Sequence, residues 1–138
     1  MQIDFYILEQ SNEQQSLLFA CQLIEKMYEK HKIYLHFNSY EAANRMDHLL
    51  WTFRDDSFIP HQLYHPNTTF PPPVQLGYEQ APPHHEVIIN FSQQSPDFFA
   101  HFNHLIEIVF AEPSMQQSAR ERYRHYRSQG HDIKTYKL

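Results

Sequence analysis

Glycine is nearly absent from this chain, with only Gly77 and Gly130 among 138 residues. The phosphate-binding loops of nucleotide-binding proteins need closely spaced glycines, either as a GxGxxG turn or as a GxxxxGK[ST] loop. Two glycines this far apart can form neither loop. Both classes of nucleotide site are therefore excluded.

Cysteine and long apolar runs are also scarce. Cys21 is the only cysteine, so an internal disulfide is excluded, and its neighbours Leu17, Leu18 and Ile24 indicate a buried thiol. No apolar run approaches the roughly 18 residues that span a bilayer, and the first residues lack the features of a signal peptide. We therefore expect a cytoplasmic protein without membrane association, folded as one domain over residues 1–138.

The eleven histidines do not form a recognisable metal or catalytic motif. His61 and His65 have helical ligand spacing but lie in a proline-rich stretch, and the pair His101 and His104 has no obvious carboxylate or cysteine nearby. Residues 84–86, His-His-Glu, would supply a general base, yet no serine or cysteine lies in a nucleophile-elbow context. We expect no metal, no cofactor and no catalytic activity; a metal-dependent hydrolase is the alternative.

Apolar patterning predicts strands that alternate with helices. Short apolar runs predict strands at 3–8, 33–37, 74–78, 87–91 and 106–110. Helical spacing and N-cap residues predict helices at 11–31, 39–51 and 95–105, followed by a helix through the arginine-rich segment. The proline-rich residues 52–73 predict an extended loop. This order predicts an α/β fold with a largely parallel sheet and helices on both faces, similar in topology to nucleotide-binding folds.

Charge is distributed unevenly along the chain. Residues 1–112 carry 5 Lys and Arg against 14 Asp and Glu, whereas residues 113–138 carry 6 against 2. The acidic body would repel the phosphates that the cationic segment attracts. A short anionic partner therefore fits this chain better than general nucleic-acid binding.

The cationic residues cluster in the segment SARERYRHYR, residues 118–127. On a helix, one sector about 100° wide holds Arg120, Tyr123, Arg124 and Arg127. Arg122 and Tyr126 fall on the side that packs on the sheet. Guanidinium groups bind carboxylates bidentately, and a tyrosine supplies an apolar wall, so the outer face suits a carboxylate-bearing peptide.

Three other interpretations of this helix remain open. Its late arginines suit the negative end of the helix dipole and would be solvated without any ligand. Phosphate would satisfy the same guanidinium groups. In a single-stranded nucleic-acid-binding module, Tyr123 and Tyr126 would stack on bases while the arginines follow the backbone.

Exposed aromatic residues are a second candidate surface. Trp51 and Phe58 to Pro60 run off a predicted helix into the extended loop. Core packing is the simplest interpretation. Partial exposure would instead indicate a protein-binding patch, because aromatics give a large contact area for little entropy loss.

Several motifs resemble the chi subunit family of bacterial DNA polymerase III. They are FYIL at 5–8, LLW at 49–51, SFIPH at 57–61 and, most specifically, ARERYR at 119–124. The resemblance implies an α/β fold without nucleotide chemistry and a non-catalytic accessory subunit in the clamp-loader complex. It covers nearly the whole chain.

The resemblance also implies partners for such a subunit. Chi subunits pair with the psi subunit, which joins them to the clamp loader. They also bind the acidic C-terminal tail of single-stranded DNA-binding protein, which ends in a phenylalanine with a free α-carboxylate. Their association with single-stranded DNA is indirect, and a repair helicase is a further partner of some relatives. The psi contact maps onto Trp51, Phe58, Ile59 and Pro60.

By the same resemblance, the tail-binding residues of the family match positions in this sequence. They are Arg120, Tyr123, Arg124 and Arg127, with Val109, Ile133 and Thr135 as walls of a phenylalanine pocket. Arg120 would hold the terminal carboxylate. Gln116 lies on the same face, where many relatives have a lysine. This change is expected either to weaken the grip or to shift it toward Arg124 and Lys134.

Overall fold

The computed structural model describes residues 1–80 and 82–138, which form alternating strands and helices. The strands are β1 Gln2–Leu8, β2 Ile33–His36, β3 His61–Leu63, β4 Val74–Gly77, β5 Val87–Asn90, β6 His104–Phe110 and β7 Asp132–Lys137. The helices are α1 Glu13–Met27, α2 Tyr40–Thr52 and α3 Pro113–Ser128, with a short 3-10 helix at Phe99–His101. In the described residues, one sheet of seven strands has the order β3-β4-β2-β5-β6-β1-β7, and each neighbouring pair is parallel.

Two apolar cores lie on opposite faces of this sheet. α1 and α2 cover one face and contribute Leu17, Ala20, Cys21, Ile24, Ala43, Met46 and Leu50. α3 covers the other face and contributes Ala119 and Tyr126. On that second face Phe98 and Phe102, which precede β6, pack on Tyr34 of β2. Cover on both sides explains why β2, β4 and β5 are buried along their whole length. The prediction of an α/β fold with a parallel sheet and helices on both faces is confirmed.

The helices begin at the capping residues that the physical chemistry of helix ends favours. Asn12 caps α1 in a capping box with Gln15, and Ser39 caps α2 by accepting a hydrogen bond from the backbone N–H of Ala42. Pro113 begins α3, where its missing N–H costs nothing. Cys21 in α1 is buried, and this burial raises the pKa of its thiol to about 12.

The helix predicted at 95–105 is wrong. Its region contains only the 3-10 helix, and β6 already begins at His104. Phe99 packs on Tyr126 and Phe102 stacks on Tyr34, so both rings are buried by contacts with distant residues. Pairing of β6 with both β1 and β5 then favours the extended conformation from His104 onward.

Two strands lie where no strand was predicted. β3 lies inside the predicted loop 52–73 and pairs with β4. The buried imidazole of His61 lies at its start, with Nδ1 2.6 Å from the Ile59 carbonyl oxygen and Nε2 2.9 Å from the Asp47 carbonyl oxygen. β7 is the other, and it pairs with β1 at the edge of the sheet. Among the described residues, no helix combines the length and apolar character needed to cross a membrane.

Candidate functional site

The position of α3 is set by a buried polar cluster beneath it. The side chain of Glu107 on β6 is completely buried and accepts hydrogen bonds from the Tyr126 hydroxyl at 2.6 Å and from Arg122 Nε at 3.0 Å. Asn90 Nδ2 donates to the same carboxylate at 3.2 Å, and Arg122 Nη1 donates to the Gln93 carbonyl oxygen at 2.6 Å. A buried carboxylate needs such partners because desolvation is costly.

This cluster orients the two faces of α3. Burial and the nearby Glu107 carboxylate raise the pKa of Tyr126, so its phenol stays protonated and donates. Arg122 and Tyr126 both face the sheet, as the helical spacing predicted. The adjacent flank of α3, which carries Tyr123, thereby borders β1 and β7.

A cleft lies between α3 and the edge of the sheet. Its volume is about 600 Å³. It is lined by Phe5, Ile7, Glu9, Val109, Gln116, Ala119, Arg120, Tyr123, Arg124, Arg127, Thr135 and Lys137. The strand side chains form a largely apolar floor, and α3 forms a cationic wall. Tyr123 joins the two, because its ring meets the Phe5 ring edge-on with centroids 5.5 Å apart.

The arginines of the cleft differ from the other arginines of the chain in their ion pairing. Among the described residues, no carboxylate lies within ion-pair distance of the guanidinium groups of Arg120, Arg124 and Arg127. The other three are paired: Arg45 with Glu13, Arg54 with Glu25 and Asp56, and Arg122 with Glu107. The cleft therefore has cationic groups available to an anionic ligand.

The aromatic patch predicted around the end of α2 is partly exposed. Trp51 is 48% exposed and Phe58 is 65% exposed, with ring centroids 5.4 Å apart. Ile59 is different, because its side chain is completely buried in the core and cannot touch a partner. Pro60 is partly buried. The exposed part of the patch is therefore formed by Trp51 and Phe58, anchored by Ile59.

Comparison with known proteins covers almost the entire chain. The sequence model of the family described as DNA polymerase III chi subunit, HolC, matches residues 1–134. The chain belongs to the DNA polymerase III chi subunit family. It is similar to DNA polymerase III subunit chi of Pseudomonas aeruginosa, with 33% identity over 138 residues, which cover 99% of this chain and 96% of that protein. It is similar to subunit chi of Haemophilus influenzae, 28% identical over 95% of this chain and 93% of that protein. It is also similar to subunit chi of Escherichia coli, 27% identical over 95% of this chain and 94% of that protein.

In this chi-family chain, the cleft brings together most of the residues predicted to bind a peptide tail. Those that line it are Val109, Gln116, Arg120, Tyr123, Arg124, Arg127 and Thr135. Ile133 does not line it but packs in the apolar core beneath α3. The residues predicted to contact the psi subunit lie next to β3, at the other edge of the sheet.

The expectation that Lys134 contributes to the cleft is wrong. Alternate residues of a strand face opposite sides of the sheet, and Ile133 packs on the α3 side. Lys134 therefore shares the opposite side with Tyr136, which stacks on Tyr6 with ring centroids 5.0 Å apart. The cation that β7 contributes to the cleft is Lys137.

Sequence reasoning also missed cleft residues on β1 and directly after it. Phe5, Ile7 and Glu9 contribute to the lining, but no local pattern distinguishes them from other core and strand-end residues. Only the pairing of β1 with β7 brings them next to α3.

In the described part of this chi-family chain, no group of three or more His, Cys, Asp and Glu side chains is placed to hold a metal ion.

Proposed function

We propose that this chain is an accessory, non-catalytic subunit of DNA polymerase III that links the replisome to protein-coated single-stranded DNA. In this proposal the cleft binds the acidic C-terminal tail of single-stranded DNA-binding protein. The exposed aromatic patch pairs with the psi subunit, and through psi the chain joins the clamp loader. A repair helicase belongs to the proposed partners on the family resemblance alone.

The observation that carries the proposal is the combination of unpaired arginines with an apolar floor in one cleft. A C-terminal phenylalanine needs an apolar contact for its ring, which Phe5, Tyr123 and Thr135 provide. Its α-carboxylate needs a fork of N–H donors, which Arg120 provides. Arg124 and Arg127 lie further along the same wall and suit the aspartates that precede the phenylalanine.

The positions of the two surfaces suit a bridging role. The aromatic patch adjoins β3 and the cleft adjoins β7, which are the two edge strands of the sheet. Six strand spacings of about 4.8 Å separate these edges by about 29 Å. Two partners therefore have room to bind at the same time.

Replacement of one arginine tests the cleft as the tail-binding site. Arg120→Ala is expected to weaken binding of an acidic, phenylalanine-terminated peptide by about 2 to 5 kcal/mol, because it removes one partner of a desolvated charged hydrogen bond. Isothermal titration calorimetry measures this loss. Arg45→Ala is the matched control, since Arg45 is exposed and paired with Glu13 away from the cleft. Equal binding by Arg120→Ala and the unmodified chain would refute the site.

Replacement of one phenylalanine tests the psi contact separately. Phe58→Ala is expected to weaken association with psi by about 1 to 3 kcal/mol, as for an aromatic anchor in an interface, and to leave tail binding unchanged. Co-purification of the two subunits and peptide titration provide the two measurements. Phe70→Ala is the control, because Phe70 is 90% exposed and lies outside the patch. If the two variants retain psi equally well, the patch is not the contact.

A further inference from the structure

The floor of the cleft is arranged in rows set by strand register. Parallel pairing places Lys137, Ile7 and Val109 in one row across β7, β1 and β6. Thr135 and Phe5 belong to the next row on the same face, toward the amino ends of the strands. Rows on one face are two residues apart, which is about 7 Å. The floor therefore has an aromatic row and, beyond it, a row that carries a cation.

Helix geometry places Arg120 level with the row of Lys137. α3 starts after the carboxyl end of β6 and runs back toward the amino ends, where β7 begins. Tyr123 contacts Phe5 in the aromatic row. Arg120 precedes Tyr123 by three residues, or about 4.5 Å along the helix axis, and helical side chains lean further in that direction. Arg120 and Lys137 therefore approach the same part of the cleft, one from the wall and one from the floor.

The other residues at this end of the cleft supply no positive charge. Gln116, one turn before Arg120, is an uncharged amide, and Glu9 is acidic. In the described residues, Lys137 has no carboxylate within ion-pair distance, and neither does Arg120. The Lys137 side chain is also exposed. Because it has no ion-pair partner, its ammonium group can bind a ligand in the cleft without breaking an ion pair.

We propose that Arg120 and Lys137 together form a two-cation clamp for the terminal carboxylate of the bound peptide. This inference rests on the proposed function, and it adds Lys137 to the residues that bind the carboxylate. Arg120 supplies a bidentate fork and Lys137 a compact point charge on the other side of the carboxylate. The phenyl ring then occupies the aromatic row, about 7 Å away. The clamp makes the cleft selective for a free C-terminal carboxylate over an internal or amidated phenylalanine.

Two peptides and two lysine variants test the clamp. The peptides share one acidic, phenylalanine-terminated sequence, with either a free or an amidated C-terminus, and fluorescence anisotropy at fixed salt measures their affinities. Lys137→Gln is expected to weaken the free-carboxylate peptide about fivefold, the effect of one exposed ion pair, and the amidated peptide less than about twofold. Lys134→Gln removes the same charge from the opposite face of β7. It is expected to change either affinity less than about twofold.

The outcomes separate the clamp from the proposed function. Equal losses of peptide affinity in Lys137→Gln and Lys134→Gln would overturn the clamp, because the effect would then come from the net charge of β7 and not from the position of Lys137. Equal losses for the free and the amidated peptide in Lys137→Gln would also overturn it. If the unmodified chain binds neither peptide, the proposed function itself fails. If the unmodified chain binds and Arg120→Ala does not, while Lys137→Gln binds normally, only the clamp fails. Unchanged thermal unfolding of both lysine variants shows that the fold is intact.

Discussion

The environment of each residue gives the four arginines of α3 different roles. Arg120, Arg124 and Arg127 lie in the cleft without carboxylate partners among the described residues, whereas Arg122 is buried against Glu107. The helical repeat of about 100° per residue predicts this division from the sequence. It does not predict Glu107, because that carboxylate lies on β6 and reaches α3 only through the fold. A residue's face is therefore predictable from local spacing, and its partner is not.

Removal of the buried arginine is expected to destabilise the chain rather than alter its ligand preference. Arg122→Met leaves the Glu107 carboxylate buried with one cationic partner fewer, which lowers the free energy of unfolding by about 3 to 5 kcal/mol. Urea denaturation followed by circular dichroism measures the loss. The double variant Arg122→Met with Glu107→Gln is expected to recover part of it, because the carboxamide carries no charge. A loss below about 1 kcal/mol in the single variant would contradict the argument.

Whether a secondary-structure element could be predicted depends on how much of its stability comes from interactions within its own segment. α1, α2 and β5 were predicted because their apolar spacing, caps and β-branched residues act within the segment. The helix predicted at 95–105 does not form, because Phe99 and Phe102 are buried by rings from distant parts of the chain. β7 has no apolar pattern, since five of its six residues are exposed, and only pairing with β1 makes it a strand. The helical wall of the cleft was therefore predictable, and so were the floor strands β1 and β6, whereas the floor strand β7 was not.

The whole molecule places a cationic cleft on an acidic body. The formal net charge is -5, and the net positive charge is confined to residues 113–138, in α3 and β7. Attraction within the cleft acts over short distances, because charges are screened beyond about 8 Å at physiological salt. A ligand that extends past the cleft meets the acidic surface. This distribution favours a short acidic tail with an apolar end over a long polyanion.

Binding of a single-stranded oligonucleotide tests whether this charge distribution favours a short acidic peptide over a nucleic acid. At about 0.15 M salt, oligothymidylate is expected to bind at least about tenfold more weakly than the acidic peptide, because the body repels its phosphates and Tyr126 is completely buried and cannot stack on a base. Fluorescence anisotropy with both labelled ligands measures the ratio. Arg124→Ala should weaken the peptide more than the oligonucleotide if the cleft is built for a peptide. Oligonucleotide affinity equal to that of the peptide, and lost in Arg120→Ala, would instead make the cleft a direct single-strand binding site.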